Sequence, residues 1–292
     1  MTCGFLALDK PSGLTSHACV ARVRRAYCLK RVGHGGTLDP AVTGVLPIAL
    51  GPATRLLSYL PGEKAYRASV QLGVQTSTDD LQGTVLRRQP WPTDLHRQDM
   101  EEALAPFRGA IEQRPPSFSA VPVQGQRAYA LARAGETLEL PPRRVHLHRL
   151  QLLAWNPVEG KLELEILCSA GTYIRSLARD LGQALGCGGA LASLRRTAAL
   201  GFQLSQCVPL DALDDGPLPL LDPRVVLAHL PQQHLAEGDL VRWLCGQAQV
   251  AHQDWPTGTN VLVIAADGKL AGLAKMQATG MVQPRLVFPT NG

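Results

Sequence analysis

Residues 161–186 read KLELEILCSAGTYIRSLARDLGQALG, and the hydrophobic pattern changes period once within them. Through Cys168 it alternates, with Leu162, Leu164, Ile166 and Cys168 on one face, as in a half-buried strand. Residues 169–171 are turn material. The apolar positions then become Ile174, Leu177, Ala178, Leu181 and Leu185, the spacing of an amphipathic helix. Thr172 is placed to cap that helix and Gly186 to end it. Arg175 therefore falls in the first turn of a helix just beyond a strand end, where a rigid scaffold commonly holds active-site groups.

Outward from this unit the chain mixes both periods. Tyr66, Ala68, Val70 and Leu72 share one face of a strand over 65–73, with Arg67, Ser69 and Gln71 on the other. The apolar run GVLPIAL at 44–50 predicts a buried strand. Residues 16–31 predict a helix capped by Ser16, with Val20, Val23 and Tyr27 on its apolar stripe and Gly33 after its end. Asp99 and Glu102 form a capping-box pattern for a helix over 99–108. Pro115 and Pro116, then Pro141 and Pro142, bound an insertion at 115–143 with a short helical piece near 127–134, expected to be a loop or lid. The proline- and aspartate-rich stretch 209–223 reads as a linker. Short strands are predicted at 261–265, 269–275 and 284–288. The expected division is a domain over 1–213, a linker over 214–230 and a small β-rich module over 231–292.

Composition narrows the class. The chain has 292 residues, 45% hydrophobic and 18% charged, which is ordinary for a globular protein. Cys3, Cys19, Cys28, Cys168, Cys187, Cys207 and Cys245 are odd in number and form no CxxC pair, which argues against a disulfide framework or a zinc knuckle. Reduced thiols in a cytoplasmic compartment are the expectation. Nothing near the N-terminus reads as a signal peptide, and no stretch has the length of a membrane span. The net charge is +5, which permits an anionic partner. Arg22, Arg24, Arg25, Lys30 and Arg31 sit in one short segment, with Arg127 and Arg133, Arg143 and Arg144, and Arg195 and Arg196 as further clusters. Each alone suits a solvated face; the set points toward a polyanion.

The densest motif is GHGGTLDP at 33–40. Three glycines in four positions let backbone amides and the Asp39 carboxylate approach a ligand, and Pro40 biases Asp39 toward an extended backbone. From spacing alone, Asp39 reads equally as a residue that opens the next turn. A phosphate loop is excluded because no Gly-Lys-Ser/Thr follows, and a dinucleotide site because the GxGxxG spacing is missing. With DKPSG at 9–13, KAYR at 64–67, GTYIR at 171–175 and LRR at 194–196, the chain resembles the TruB family of bacterial tRNA pseudouridine-55 synthases. The resemblance runs from about residue 4 to about residue 208.

That resemblance implies an α+β fold: a pseudouridine-synthase-like catalytic domain with a central mixed, mainly antiparallel sheet, and a PUA-like RNA-binding module at the C-terminus. It implies that Asp39 is the catalytic aspartate, that Arg175 pairs with it, and that Tyr66 stacks on the target base. His34 matches the histidine that fills the gap left by a flipped base. Tyr173 and Leu194 match substrate-pocket positions, Lys10 and Pro11 a motif that buttresses the site, and 115–143 the family's RNA-binding insertion. Ala170 departs from the family, where a lysine is frequent before GTYIR. The implied partner is the T arm of tRNA, bound by a monomer.

Such an isomerisation breaks the N1–C1′ bond, turns the uracil and rejoins it through C5. It has no redox step, so no cofactor is expected, and the sequence offers no metal-ligand set; His146 and His148 read as a surface pair. A flipped base leaves its stack at a cost of a few kcal/mol, part of which an aromatic side chain recovers. Asp39 has three open routes: attack on C1′, attack on C6, or removal of the C2′ proton to give a glycal. Tyr66 is a candidate base for the C5 proton. The alternative is a non-catalytic tRNA-binding folding chaperone on the same scaffold. A third reading, an aspartate-dependent glycoside or nucleotide hydrolase, needs a second carboxylate beside Asp39. Asp79 and Asp80 are nominees, and TSTDDLQG reads as a polar turn that nothing in the sequence brings there.

Overall fold

The computed structural model describes residues 2–123, 125–136 and 139–288. Parts of the expected insertion (124, 137 and 138) and of the expected C-terminal module (289–292) lie outside them. The predicted strands at 44–50, 65–73 and 161–168 are three members of a ten-stranded sheet. Along its main path run Val208–Pro209, Gly4–Lys10, Thr43–Leu50, Gly189–Ala199, Lys64–Leu72, Lys161–Cys168, Arg143–Asn156 and Gly109–Gln113. Two pairings are parallel: Gly4–Lys10 with Val208–Pro209, and Thr43–Leu50 with Gly189–Ala199. The others are antiparallel, so the sheet is mixed and mainly antiparallel.

The period change at 161–186 builds one face of the core. The strand Lys161–Cys168 presents Leu162, Leu164, Ile166 and Cys168, and the helix Ile174–Ala184 lays Ile174, Leu177, Ala178 and Leu181 over them and over Tyr66, Ala68, Val70 and Leu72. Thr172 is not the cap. Its hydroxyl donates to the Ser169 carbonyl at 2.9 Å and closes the turn, while Tyr173 occupies the cap position. Gln113 from the sheet's edge strand does the capping work from outside. Its Oε1 accepts from the Tyr173 amide at 2.8 Å, and its Nε2 donates to the Tyr173 carbonyl at 3.0 Å. Gly186 ends the helix region at φ +71°.

Two other helices depart from expectation at their ends. The first is Ser16–Ala26, five residues shorter than its periodicity suggested, because Cys28 turns left-handed at φ +51°. Thr15 is its cap, accepting from the Ala18 amide at 3.0 Å, and Ser16 turns inward instead. The second is Arg97–Leu104. There Asp99 is not the cap but the third helical residue, its carboxylate accepting from the His96 amide at 2.6 Å. The described part of 115–143 carries a small ladder of Pro122–Val123 with Gln126–Arg127 and the helix Ala128–Arg133.

A second sheet has the order Gln232–His234, Asn260–Ile264, Leu270–Met276, Met281–Val287 and Gln249–Val250. It packs against the first: Leu262, Ile264, Leu273 and Phe288 share one apolar cluster with Phe5, Ala53 and Leu56. The stretch before it lies along the molecule's first strand, where Leu221 and Phe5 exchange backbone hydrogen bonds of 2.8 and 3.0 Å. No described helix is long and apolar enough to cross a membrane.

One close approach controls the middle of the large sheet. Gly44 has φ +104°, and a Cβ there would lie 2.1 Å from the Arg196 carbonyl oxygen. Only glycine lets the parallel pair of Thr43–Leu50 and Gly189–Ala199 close at this point. Gly44→Ala is expected to cost about 3 kcal/mol or more, from the left-handed backbone plus displaced packing. Urea unfolding of the two proteins measures this directly.

Candidate active site

The loop that joins His34 to Thr43 is pinned at nearly every residue. Gly35 N donates to Pro47 O at 2.8 Å. The Ser16 hydroxyl binds both backbone groups of Leu38, accepting from its amide at 2.8 Å and donating to its carbonyl at 3.1 Å. The Pro40 carbonyl accepts from Gly13 N at 2.8 Å and from Lys10 Nζ at 3.1 Å. A loop whose backbone polar groups are accounted for in this way holds a defined shape. Asp39 also opens a turn, its carbonyl accepting from Val42 N at 3.0 Å. The turn is made through the Asp39 backbone carbonyl, which leaves the carboxylate free of that role.

The Asp39 carboxylate is directed to Arg175. Arg175 Nη2 lies 3.0 Å from Asp39 Oδ2; the guanidinium is 8% exposed and the carboxylate 44%. Arg175 is also held by contacts other than Asp39, since Nη1 donates to Thr78 O and Nη2 to Phe118 O, both at 2.9 Å. Its Nε lies 3.8 Å from Asp80 Oδ2. Asp80 in turn accepts from the Thr78 hydroxyl at 2.6 Å and from Gln82 N at 3.0 Å. One turn along the helix, Arg179 repeats the arrangement with Asp79 at 2.8 Å. TSTDDLQG is thus a polar turn, as its composition indicated. It also delivers Asp80 to the far side of the guanidinium that holds Asp39, which spacing along the chain did not reveal.

Lys10 sits beneath this loop, fully buried. Its ammonium donates to Pro11 O at 2.7 Å, Leu14 O at 2.6 Å and Pro40 O at 3.1 Å. Burial pushes its pKa down, with Arg196 adding to that and Asp39 opposing it. A pocket of about 310 Å³ lies on the other side of Lys10, lined by Asp9, Arg22, Thr43, Arg195 and Asp211; Asp39 does not line it.

Tyr66 is 6% exposed, on the strand Lys64–Leu72 directly across from Arg196. Its ring offers only a small exposed edge, so the broad stacking platform expected of it is not open in this state. Burial raises its phenol pKa, and the adjacent Arg196 opposes that rise. His34 is half-buried on the short strand Val32–His34, and its Nδ1 is buried with no hydrogen-bond partner. Burial lowers its pKa, with Arg196 and His17 adding to that. Tyr173 stacks under the Arg143 guanidinium, 5.2 Å from its ring centroid. Leu194 packs between the two apolar clusters on either side of the Asp39 loop. His146 and His148 lie ring to ring at 4.5 Å, with Glu63 3.6 Å from His148.

In the sequence Arg196 counts only as one of a basic pair suited to a solvated face or a polyanion. It is fully buried, its Nε donating to Val45 O at 2.7 Å and its Nη2 to Gly36 O at 3.1 Å. The signal was present in LRR, but neighbouring arginines look alike until the strand's faces are known. Arg195 instead takes the other face and pairs with Asp9 at 2.6 Å.

Comparison with known proteins agrees with this geometry. Residues 24–174 match the model of the TruB family pseudouridylate synthase N-terminal domain. The chain belongs to the TruB family. Residues 175–218 match the tRNA pseudouridylate synthase B C-terminal domain. Relatives named tRNA pseudouridine synthase B include that of Parasynechococcus marenigrum strain WH8102, 59% identical over 99% of this chain and 98% of its own. Another, from Synechococcus sp. strain WH7803, is 56% identical with the same coverage. Among solved structures, an H/ACA RNP bound to a substrate RNA containing 2′-deoxyuridine matches with a TM-score of 0.72 at 26% identity, over 98% of this chain and 85% of that one. A Cbf5–Nop10–Gar1 complex matches with a TM-score of 0.71 at 26% identity, with the same coverage. The TruB family fold thus accounts for the large mixed sheet with the smaller sheet beside it.

Lys10→Met is expected to leave the carbonyls of Pro11, Leu14 and Pro40 without their donor and to cost about 3 kcal/mol. The measurement is chemical denaturation; an unchanged midpoint would mean that solvent replaces the ammonium.

Proposed function

We propose that this protein isomerises the uridine at position 55, in the T loop of tRNA, to pseudouridine. The observation that carries the proposal is the 3.0 Å pair of Asp39 with a buried, independently held Arg175 at the end of the sheet, in a chain of the TruB family. Binding alone does not call for a carboxylate held there. Residues 1–213 act as the catalytic domain, with 115–143 as an RNA-binding insertion. Residues 214–230 are the connection, and 231–292 a PUA-like module that extends the RNA contact. The protein works as a cytoplasmic monomer on the T arm.

The target nucleotide leaves its stack and enters beside Asp39, with His34 filling the place it vacates. Its lowered pKa favours the neutral imidazole, which suits an apolar slot among bases. Tyr173 and Leu194 line the pocket, and Lys10 keeps the Asp39 loop in shape. Asp39 then acts on the nucleotide as nucleophile toward C1′ or C6, or as a base toward C2′. The half-exposed carboxylate becomes dry only when RNA covers it, and its attraction to Arg175 strengthens as water leaves. Arg175 aims the carboxylate and keeps it ionised. Tyr66 touches the base at its exposed edge and takes the C5 proton in the last step.

Asp80 does not supply the second, proton-donating carboxylate that a hydrolase needs. Its oxygens are occupied by Thr78, Gln82 and the shared guanidinium. Release of free uracil is therefore not expected.

The test is tritium release from C5-labelled tRNA transcripts. Asp39→Asn is expected to abolish release while retaining tRNA affinity. Arg175→Lys, which cannot reproduce the fork that reaches Thr78, Phe118 and Asp39 together, is expected to lower the single-turnover rate by about 10²-fold or more. Its affinity is expected to stay within about threefold of wild type, well under 1.4 kcal/mol. Tight tRNA binding with no release by the wild type would point to the chaperone alternative.

A further inference from the structure

Arg196 is a buried cation without a counter-charge. It is fully buried, and no ion pair among the described residues includes it. Two of its nitrogens hold backbone carbonyls on different elements, Val45 and Gly36. The third, Nη1, is buried with no hydrogen-bond partner. That nitrogen lies 3.7 Å from the point where a side chain on Gly36 would begin, and Lys64 Nζ lies 3.3 Å from the same point. Lys64 also forms no ion pair among the described residues, and burial and Arg196 together lower its pKa. A buried guanidinium and a half-buried ammonium thus lie close together with no ion-pair partner among the described residues, a costly arrangement that calls for negative charge from elsewhere.

The strand register indicates where that charge arises. Arg196 and Tyr66 are direct cross-strand partners on the same face of the sheet, the geometry in which two side chains touch. The phenol and the guanidinium each act on the other's charge, while Nη1 is left without a hydrogen-bond partner. The other titratable groups near Tyr66 are Cys168 and Asp39; those near Arg196 are Lys64, Lys10, His34 and Cys207. Of these groups, Lys10 and Tyr66 both lie near Arg196 and Asp39, and Tyr66 is the one of the two that becomes negative on losing a proton.

We infer that Arg196 is a positioning residue for Tyr66: from the facing strand position it supplies the positive charge against which the phenol oxygen ionises, while tying the same site to the Gly36 loop that carries Asp39. The inference rests on the reading of Tyr66 as the base for the C5 proton. The step balances. Tyr66 releases its proton to water and becomes phenolate. The phenolate oxygen then bonds the hydrogen leaving C5, and the C5–H electron pair becomes the C5–C6 double bond; the N1–C6 double bond of the C5-linked intermediate gives its pair to N1, which takes a proton from water, or, on the C6 route, the C6–O bond breaks and Asp39 leaves as carboxylate. The regenerated phenol completes the cycle.

The experiment is a double-mutant cycle on single-turnover C5 tritium release across pH, with tRNA filter binding and thermal melting of each variant. Arg196→Lys, Arg196→Gln, Tyr66→Phe and the Arg196→Lys/Tyr66→Phe double variant are compared with wild type. Arg196→Lys is expected to slow release by about 10²-fold at pH 7, within the range for a disabled acid–base group, with part of the loss recovered as pH rises. Arg196→Gln, which has no charge, is expected to be slower still. In the Tyr66→Phe background the same Arg196→Lys change is expected to cost less than about threefold, because coupled residues do not add. Replacing Tyr66 by 3-fluorotyrosine, a stronger acid, is expected to restore rate to Arg196→Lys. Equal cost in both backgrounds, or parallel pH profiles, would overturn the inference and leave Arg196 as a strut for the Gly36 loop. Failure of both single Arg196 variants to fold would overturn it as well. A Tyr66→Phe enzyme of wild-type rate would sink the base reading itself. A crippled Tyr66→Phe beside a fully active Arg196→Lys would sink only the role of Arg196.

Discussion

The contact between Asp39 and Arg175 joins two parts of the chain that have no local reason to meet. Asp39 rides on a loop between the first helix and the Thr43–Leu50 strand; Arg175 rides on the helix that follows Lys161–Cys168. Their 3.0 Å separation holds only if the large sheet closes in its observed order. In that order the parallel pair of Thr43–Leu50 with Gly189–Ala199 bridges the N-terminal strands to the antiparallel remainder. The glycine at 44, where no side chain fits against Arg196, is a condition of that closure.

Around this contact the molecule concentrates buried cations. Lys10 is bound by three carbonyls, Arg175 by two carbonyls and two carboxylates, and Arg196 by two carbonyls with one nitrogen unmatched. Lysine and arginine buried in this manner gain little net stability, because lost hydration offsets most of the Coulomb attraction. Their effect is on shape and potential. Together they give the Asp39 loop one conformation and set it in a positive field, which suits a polyanionic RNA partner and a reaction that develops negative charge.

Much of this was legible in the sequence because the periods are clean. The alternation at 65–73 and 161–168 and the helical stripe from Ile174 gave the core face correctly, since side-chain direction follows directly from backbone period. The pairing of Asp39 with Arg175 came from recognising motifs, not from spacing. Helix ends were read less well. Thr172, Ser16 and Asp99 are all competent caps by residue type, yet each is used differently. Thr172 closes a turn, Ser16 holds Leu38 and Asp99 is the third residue of its helix. The sequence shows that a hydroxyl or carboxylate is available, but not which orphan amide or carbonyl lies closest.

The residues by themselves determined the strands near 44–50, 65–73 and 161–168, the helix that follows the last of these, and the set of groups at GHGGTLDP, KAYR and GTYIR. Tertiary structure decided which of them act together. It set Asp80 behind Arg175 although the two are far apart in sequence, and it enclosed Tyr66 more fully than a stacking platform requires. It also separated Arg195, paired with Asp9 on one face, from Arg196, buried on the other. The reason is physical: a local pattern carries information about period and therefore about faces. The partner across a sheet, and the charge left without one, depend on strand order and register, which long-range packing alone selects.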